Sequence, residues 1–252
     1  MPVALVTGAA RERGIGRGIA LVLAERGFDV AINDISQDEE AARRVGEIQA
    51  LGRRSAFICA DISRPEENER LVAETVGHFG RLDAFVANAG VARWQPLVDV
   101  TREDWDFIMG VNLHGVLYGC SAAAAQMRRQ GEGGSIVVIS SVNAVMPFSA
   151  LGVYGASKHA VGHLVGVMAR EWGDDGIAVN HVGPGWVDTD INLPSPDFDT
   201  DAKRAAVGPS IPFGHRPTKP REIGEAVAYF LASRIVTGAY LRVDGGLVVG
   251  KY

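Results

Sequence analysis

Residues 3–16 read VALVTGAARERGIG, and this stretch decides the fold. The apolar, β-branched run at its start predicts a strand, and the pattern that begins at Ile15 predicts a helix. The glycines of the turn between them, Gly8, Gly14 and Gly16, let backbone N–H groups approach a pyrophosphate, and the helix N-terminus adds partial positive charge. We therefore expect a strand–turn–helix unit that binds nucleotide phosphates.

The same alternation of short apolar runs and longer helical patterns continues along the chain. Strands are predicted at 3–7, 29–33, 55–60, 84–87, 135–140, 178–182 and 239–243, and helices near 15–27, 38–51, 66–79, 102–130, 153–173 and 220–232. Repeated strand–helix units of this kind predict an α/β fold with a parallel sheet. Because the units follow one another without a break, we expect a single domain over residues 1–252.

Composition excludes several other classes of protein. The chain has 252 residues, 47% hydrophobic and 22% charged, with a net charge of −5, which argues against disorder and against general nucleic-acid binding. Its 2 cysteines lie in apolar runs, which suits a reducing compartment, and its 6 histidines form no metal-like cluster. No apolar run approaches the ~20 residues of a membrane span. We expect a cytoplasmic protein without a metal, a membrane or a nucleic-acid partner.

The end of the second predicted strand carries the signal for cofactor choice. Asp34 can accept both hydroxyls of an adenosine ribose, and its charge would repel a 2′-phosphate, so it favours NAD. Arg13 is the opposing signal, because a guanidinium can pair with that phosphate. We therefore expect NAD and leave NADP open. Asp34 could instead cap the next helix, a role that Ser36 or Asp38 could fill equally well.

Two further segments are candidates for the nucleotide site. Asp61 follows the third strand and could bond an adenine amino group, or it could cap the helix after it. Asn88, Ala89 and Gly90 close the fourth strand, where small residues would let the backbone lie close to a cofactor. Residues 189–219 form a long connection rich in Pro, Gly, Ser and Asp, which predicts either a lid over a site or a surface loop without a role.

The stretch that carries chemistry is Ser141 followed by Tyr154-Gly155-Ala156-Ser157-Lys158. Tyr154 and Lys158 are four apart on a predicted helix and share a face, so the ammonium can lower the pKa of the phenol from about 10 toward neutrality. Such a phenol can give or take the proton of an alcohol. Ser141, at the end of the fifth strand, could bond the same oxygen. A half-buried tyrosine beside a solvated lysine is the alternative.

These motifs, with others in the same order, resemble one known family. They are TG…GIG at 7–16, Asp61, NAG at 88–90, Asn112 in VNLHG, Ser141 in ISS, YGASK at 154–158, NHVGPGWVDT at 180–189 and VDGG at 243–246. Over essentially its whole length the chain resembles the short-chain dehydrogenase/reductase family, in its single-domain branch. The resemblance implies a Rossmann-type doubly wound three-layer sandwich with a seven-stranded parallel sheet. It also implies hydride transfer with a nicotinamide, and a homotetramer or possibly a dimer.

The resemblance also implies a role for each matching residue. Tyr154 would be the acid/base, Lys158 would lower its pKa and hold the nicotinamide ribose, and Ser141 would orient the substrate oxygen. Asn112 would hold a water that links Lys158 to solvent. The segment from Pro184 to Thr189 resembles the one that binds the carboxamide. The expected cofactor-binding set is Gly8, Arg13, Gly14, Ile15, Gly16, Asp34, Ile35, Asp61, Ile62, Asn88, Ala89, Gly90, Tyr154, Lys158, Pro184, Gly185, Val187 and Thr189.

Two departures from the family pattern affect these expectations. Gly8 and Gly14 enclose five residues, two more than is usual, so we expect a bulge at the phosphate edge and leave the side chain that contacts the ribose open. The run FLASRIVTG is about four residues shorter than the family's usual connection, which weakens any inference about quaternary structure.

The substrate end is less specific. Trp94 and Trp186 each follow a segment expected at the cofactor, so they could wall a pocket or only pack. Asn143 and Phe148 would face the substrate if the family geometry holds. The leading hypothesis is an NAD(P)(H)-dependent oxidoreductase acting on a secondary alcohol or ketone of 3-oxoacyl or other carbonyl type. The alternatives are a sugar or polyol dehydrogenase of the same family and, in another class, a non-catalytic nucleotide-sensing protein.

Overall fold

A computed structural model describes residues 1–192, 207–233 and 235–249 of the chain. Within these residues, parallel strands form a 7-stranded sheet in the order β3-β2-β1-β4-β5-β6-β7. The strands are β1 Val3–Val6, β2 Asp29–Asp34, β3 Ser55–Cys59, β4 Ala84–Ala87, β5 Gly134–Ile139, β6 Ile177–Pro184 and β7 Tyr240–Val243. The order reverses between β1 and β4, which is where open α/β sheets form their ligand crevice.

Helices cover both faces of this sheet. They are α1 Ile15–Glu25, α2 Glu39–Ala50, α3 Pro65–Phe79, α4 Arg102–Met109, α5 Gly115–Gln130, α6 Gly152–Glu171 and α7 Pro220–Ala232. Leu23 of α1 and Phe230 of α7 are buried on one face of the sheet, with Val86 of β4. Cys120 of α5 and Val161 of α6 are buried on the other face. The expected Rossmann-type doubly wound three-layer α/β sandwich is confirmed.

Local side chains explain where the helices beside the site begin. Asp38 caps α2, because its carboxylate accepts the backbone N–H of Ala41 at 3.2 Å. This leaves Asp34 free of the capping role that was its alternative. Thr101 and Asp104 form a capping box at the start of α4, which satisfies two backbone donors at once.

The predicted continuous helix at 102–130 is wrong in its middle. A π-helical turn, Gly110–His114, separates α4 from α5, and such turns re-aim the side chains that they carry. The whole stretch Arg102–Gln130 is long and apolar enough to pass a length-and-composition test for a membrane span, with 44% of its apolar window buried in the protein. Core helices of soluble proteins pass the same test, so this finding carries little weight.

One titratable side chain of the sheet is buried, and no charged group in the described residues offsets this burial. His181 on β6 is 7% exposed and stacks on Tyr240 of β7, with ring centroids 4.5 Å apart. Burial lowers the pKa of His181 to about 4, because the charged imidazole loses its hydration. The histidine is therefore neutral in the folded protein near pH 7.

We expect this burial to make the protein less stable in mild acid. An unfolded histidine takes up a proton near pH 6.5 and folded His181 does not, so the free energy of unfolding should fall as the pH drops from about 6.5 to about 4. Urea unfolding at about pH 7 and about pH 5 measures this decline. His181→Leu should show a smaller decline and His163→Leu, at an exposed position of α6, should keep it. An unchanged pH dependence in His181→Leu would contradict the assignment.

Candidate active site

A cavity of about 620 Å³ lies at the carboxyl edge of the sheet, where the loops after β1 to β6 converge. All of the predicted site residues line it except Gly16 and Asn112. The predicted residues on its walls are Gly8, Arg13, Gly14, Ile15, Asp34, Ile35, Asp61, Ile62, Asn88, Ala89, Gly90, Trp94, Ser141, Asn143, Tyr154, Lys158, Pro184, Gly185, Trp186, Val187 and Thr189. Residues that are far apart in sequence therefore meet in one chamber.

The strand–turn–helix unit builds the phosphate end of this cavity. Gly8 has φ +61°, a left-handed conformation that glycine adopts without strain, and a Cβ there would lie 2.8 Å from Cα of Ala89. A Cβ on Gly16 would overlap the carbonyl oxygen of Gly8, so Gly16 serves close packing behind the wall. Gly14 is the N-cap of α1 and makes no side-chain cap. The N–H groups of the first turn can therefore bind an anion, which fits a dinucleotide pyrophosphate.

A buried arginine on α2 anchors the enlarged turn. Arg44 is 0% exposed, its Nε donates to the carbonyl oxygen of Ala10 at 3.3 Å, and its guanidinium pairs with Glu12 at 2.6 Å. A fully buried guanidinium is costly unless it is paired and hydrogen-bonded. These contacts therefore fix the inserted residues against α2.

The ribose end of the cavity carries a fixed negative charge. The carboxylate of Asp34 accepts the backbone N–H of Ala10 at 3.2 Å and that of Ile35 at 2.9 Å. These two bonds join the end of β2 to the inserted turn and hold the carboxylate on the cavity wall. The position suits recognition of ribose hydroxyls and opposes a 2′-phosphate.

Both arginines of the turn are engaged by carboxylates. Arg11 pairs with Asp38 at 3.3 Å. Arg13 pairs with Asp188 at 2.6 Å and with Asp190 at 3.2 Å, and so joins the enlarged turn to the segment after β6. Arg13 is expected to be able to pair with a 2′-phosphate, and these two carboxylates compete with that phosphate for its guanidinium.

Asp61 lies on the cavity wall and is not the cap of α3. Its Oδ1 accepts the backbone N–H of Ser63 at 3.0 Å and the hydroxyl of Ser63 at 2.7 Å. The N-cap of α3 is Arg64. The capping role that was the alternative for Asp61 is therefore wrong.

Ser141, Tyr154 and Lys158 meet at the inner end of the cavity. Ser141 follows β5 directly after Ser140, and its hydroxyl lies close enough to the phenol of Tyr154 to lower the pKa of that phenol. The Nζ of Lys158 lies 5.8 Å from the centroid of the Tyr154 ring and donates to the carbonyl oxygen of Ile139 at 2.9 Å. An alcohol or carbonyl oxygen placed between the hydroxyl and the phenol could exchange a proton there.

Aromatic rings form the wall beside these groups. Trp94 and Trp186 are stacked with centroids 6.1 Å apart and ring planes 7° from parallel. Phe148 meets Trp186 edge-on with centroids 6.0 Å apart. Both of the roles left open for the tryptophans are therefore met, because they pack on each other and line the cavity.

Two polar donors interrupt this apolar wall. Asn143 uses its Oδ1 to accept the backbone N–H of Phe148 at 3.3 Å. Within the described part of the chain, the Nδ2 of Asn143 and the Nε1 of Trp94 are buried and have no hydrogen-bond partner. Buried donors without a partner are rare in proteins, so both are candidates to bind an acceptor on a ligand.

Comparison with known proteins places this site in a family. A sequence model described as enoyl-(acyl carrier protein) reductase matches residues 8–248. A short-chain dehydrogenase/reductase from Armillaria gallica is 38% identical over 98% of this chain and 95% of its own length. Glucose 1-dehydrogenase from Gluconobacter oxydans is 38% identical over 97% of this chain and 91% of its own. The chain belongs to the short-chain dehydrogenase/reductase family.

A solved structure agrees with this assignment. Acetoin dehydrogenase from Enterobacter cloacae matches with a TM-score of 0.87 and 37% identity, covering 98% of this chain and 96% of that one. The predicted family is thereby confirmed. So is the predicted reaction class, oxidoreduction of an alcohol or carbonyl group with a nicotinamide dinucleotide.

Burial changes the pKa values of Tyr154 and Lys158 in this dehydrogenase/reductase site. Burial raises the pKa of Tyr154 above 10, although its hydrogen bond with Ser141 opposes the rise. Burial also lowers the pKa of Lys158 to about 8. The direction for the protein alone is therefore opposite to the predicted lowering of the Tyr154 pKa, because loss of hydration outweighs the hydrogen bond with Ser141.

Asn112, which is predicted to hold a relay water, is hydrogen-bonded to protein groups. Its Oδ1 accepts the N–H of Val91 at 2.8 Å, and its Nδ2 donates to the carbonyl oxygen of Val91 at 2.9 Å and to the hydroxyl of Ser157 at 3.2 Å. The side chain is fully buried and these protein groups occupy it. Asn112 therefore joins the loop after β4 to α6, and its role in holding a relay water stays a prediction.

Sequence reasoning missed three contributors to the site. Arg44 anchors the enlarged turn, Asp188 binds Arg13, and Tyr240 donates to the carbonyl oxygen of Ser141 at 2.9 Å. The opposite charges of Arg13 and Asp188 could have suggested a pair once both segments were placed at the cofactor. No local signal marks the contact of Tyr240, since the two residues are 99 positions apart.

The predicted lid at 189–219 is only partly covered by the structure, because residues 193–206 lie outside the described ones. Thr189, Asp190 and Ile191 line the cavity. Thr218, near the other end of the segment, donates its N–H to the carbonyl oxygen of Trp186 at 2.8 Å. Both ends of the segment therefore lie beside the cavity.

Proposed function

We propose that this protein transfers hydride between NAD and a secondary alcohol or ketone whose substituents are largely apolar. The observation that carries the proposal is the meeting of Ser141, Tyr154 and Lys158 at the inner end of a cavity with an aromatic wall. A proton-exchanging phenol beside a phosphate-binding turn suits a reaction in which a proton and a hydride move at one carbon–oxygen bond.

Each polar group then has a distinct task. The Ser141 hydroxyl holds the reacting oxygen, while Tyr154 gives it a proton in reduction and removes one in oxidation. Lys158 is fixed by the Ile139 carbonyl at 2.9 Å and lines the cavity, where it would hold the ribose of the nicotinamide half. When bound, the nicotinamide supplies the hydride or accepts it. The aromatic wall excludes water from the reacting oxygen, which strengthens these hydrogen bonds.

The charges around the adenosine end support NAD over NADP. The carboxylate of Asp34 lies on the wall, held by two backbone N–H groups. Arg11 and Arg13 are each paired with carboxylates, so binding a 2′-phosphate would require breaking those pairs. NADP remains the second choice.

The lining of the substrate end favours a carbonyl compound with apolar substituents over a sugar. A sugar carries several hydroxyls, and those that the Nε1 of Trp94 and the Nδ2 of Asn143 do not bind would lose hydration against the apolar rings. One observation favours a second candidate, a hydroxy-ketone or polyol. The Nδ2 of Asn143 is buried without a partner in the described residues and could bind one additional oxygen. A 3-oxoacyl group also offers that second oxygen.

We further propose a cytoplasmic homotetramer, or a dimer, without a membrane or nucleic-acid partner, in which residues 1–252 form one domain and 189–219 close over the substrate. Exposed apolar side chains support association of copies, since Val98 is 91% exposed and Trp105 on α4 is 45% exposed. The net charge of −5 supports the absence of a nucleic-acid partner.

A substrate screen at the absorbance band of NADH tests the proposal. We expect small apolar ketones and secondary alcohols to give a kcat/KM at least about tenfold above that of sugars, because unpaired hydroxyls cost about 1–3 kcal/mol each. A clear preference for sugars would favour the polyol candidate instead. Binding of NADH with no turnover of any substrate class would favour the nucleotide-sensing alternative.

Tyr154→Phe isolates the proton-transfer step. It removes the phenolic oxygen and keeps the ring, so we expect turnover to fall by about 10²–10⁴-fold while fluorescence titration shows nearly unchanged NADH binding. Tyr229→Phe, at an exposed site on α7, should retain full activity. Turnover above about one tenth of the wild type in Tyr154→Phe would contradict the acid/base role.

Asp34→Ala tests the basis of cofactor choice. Removing the carboxylate removes its repulsion of a 2′-phosphate, and we expect the ratio of kcat/KM for NAD over NADP to fall by about tenfold or more. Glu39→Ala, which removes a neighbouring exposed carboxylate in the first turn of α2 that pairs with Arg43, should change the ratio less. An unchanged ratio in Asp34→Ala would show that the enlarged turn sets cofactor choice.

A further inference from the structure

Tyr240, at the start of β7, reaches the residue that carries the proposed substrate-holding hydroxyl. Its Oη donates to the carbonyl oxygen of Ser141 at 2.9 Å. The same carbonyl oxygen accepts the N–H of Ala144 at 3.0 Å. Two donors from different directions fix the orientation of this peptide group, because a carbonyl oxygen has two lone pairs.

The path of the tyrosine crosses the neighbouring strand at a glycine. Tyr240 pairs in register with His181, and Gly183 lies two residues farther along β6. A Cβ on Gly183 would overlap the Oη of Tyr240 and lie 2.5 Å from its Cζ. Any other residue at 183 would therefore displace the tyrosine from Ser141.

A second contact with β6 also holds the ring of Tyr240 in this position. It stacks on the imidazole of His181 with centroids 4.5 Å apart and planes 26° from parallel. Burial raises the pKa of Tyr240 to about 12, so its hydroxyl remains a donor throughout the neutral range. Tyr240 is therefore a rigid donor aimed at one acceptor.

A buried tyrosine hydroxyl needs some partner, and the contact could serve only that need. A functional role is indicated by the residue that accepts the bond, which is Ser141. Ser141 is the residue whose hydroxyl bonds Tyr154, and that hydroxyl also accepts the N–H of Asn143 at 3.1 Å. The backbone of Ser141 is thus held by Tyr240 and Ala144, and its side chain is directed by Asn143.

We propose that Tyr240 is a positioning residue, which fixes the backbone of Ser141 so that the serine hydroxyl meets both Tyr154 and the substrate oxygen. The proposal rests on the proposed function, in which Ser141 and Tyr154 handle the reacting oxygen. In this proposal a side chain of β7 passes over Gly183, which has no Cβ, and helps to orient the serine that binds the reacting oxygen.

Tyr240→Phe tests this directly, because it keeps the ring and its stack on His181 and removes only the hydroxyl. We expect kcat to fall by about five- to tenfold, the effect of one lost hydrogen bond, with NADH binding unchanged. The hydrogen bond from Ser141 lowers the pKa of Tyr154, so loosening Ser141 should move the rise of kcat with pH, in alcohol oxidation, to a higher pH by about half a unit.

Thr237→Val is the matched control. It removes a side-chain hydrogen bond between the segment just before β7 and strand β6, where the Oγ1 of Thr237 accepts the N–H of Val179 at 3.0 Å, away from Ser141. A merely structural role for Tyr240 predicts that both variants lose similar thermal stability and keep kcat and the pH profile. That result would overturn the proposal.

Gly183→Ala provides an independent test if the first variant is unstable. The added Cβ should displace Tyr240 and reproduce the loss of kcat and the pH shift, and Tyr240→Ala in the same chain should add little further loss. If the two substitutions reduced kcat additively, Gly183 would not act through Tyr240, and the proposal would be contradicted. Turnover by Tyr154→Phe would instead defeat the proposed function, whereas an inactive Tyr154→Phe with an unaffected Tyr240→Phe would defeat only this inference.

Discussion

The parallel register of β1, β4 and β5 is the constraint on which the site depends. Ala4 of β1 pairs with Ala84 of β4, and Ala84 pairs with Ser135 of β5. Because these three strands end together, the turn at Gly8, the small residues after β4 and Ser141 meet at one edge of the sheet. A slip of one residue would reverse which side chains face each helical layer, and would withdraw Ser141 from Tyr154.

The chemistry of the site follows from how its buried polar groups are satisfied. The ammonium of Lys158 is held by the Ile139 carbonyl, and burial lowers its pKa to about 8. Burial raises the pKa of Tyr154, so the protein alone holds a protonated phenol. Both groups sit where small changes in surrounding charge have large effects. The charge state of the site is therefore sensitive to any charged group that enters the cavity.

Local patterns predict most of the fold, since each strand is a short apolar, β-branched run and each helix shows the helical spacing of apolar residues. They also predict the cavity residues, because motifs at the ends of parallel strands must converge. They fail where long-range packing decides. The π-helical turn turns Asn112 toward Val91, and the ion pair of Arg13 with Asp188 joins segments 175 residues apart. The contact of Tyr240 likewise depends on the gap at Gly183, which only the assembled sheet reveals.

The central claim is that Ser141, Tyr154 and Lys158 position a substrate for direct hydride transfer. Reduction of a ketone with NADH that carries deuterium at both positions of the nicotinamide C4 tests this transfer, with mass spectrometry and NMR of the alcohol product. We expect one deuterium at the new carbinol carbon when the solvent is ordinary water, and none at that carbon when unlabelled NADH is used in deuterated water. Loss of the label to solvent, or its appearance at another carbon, would contradict direct hydride transfer.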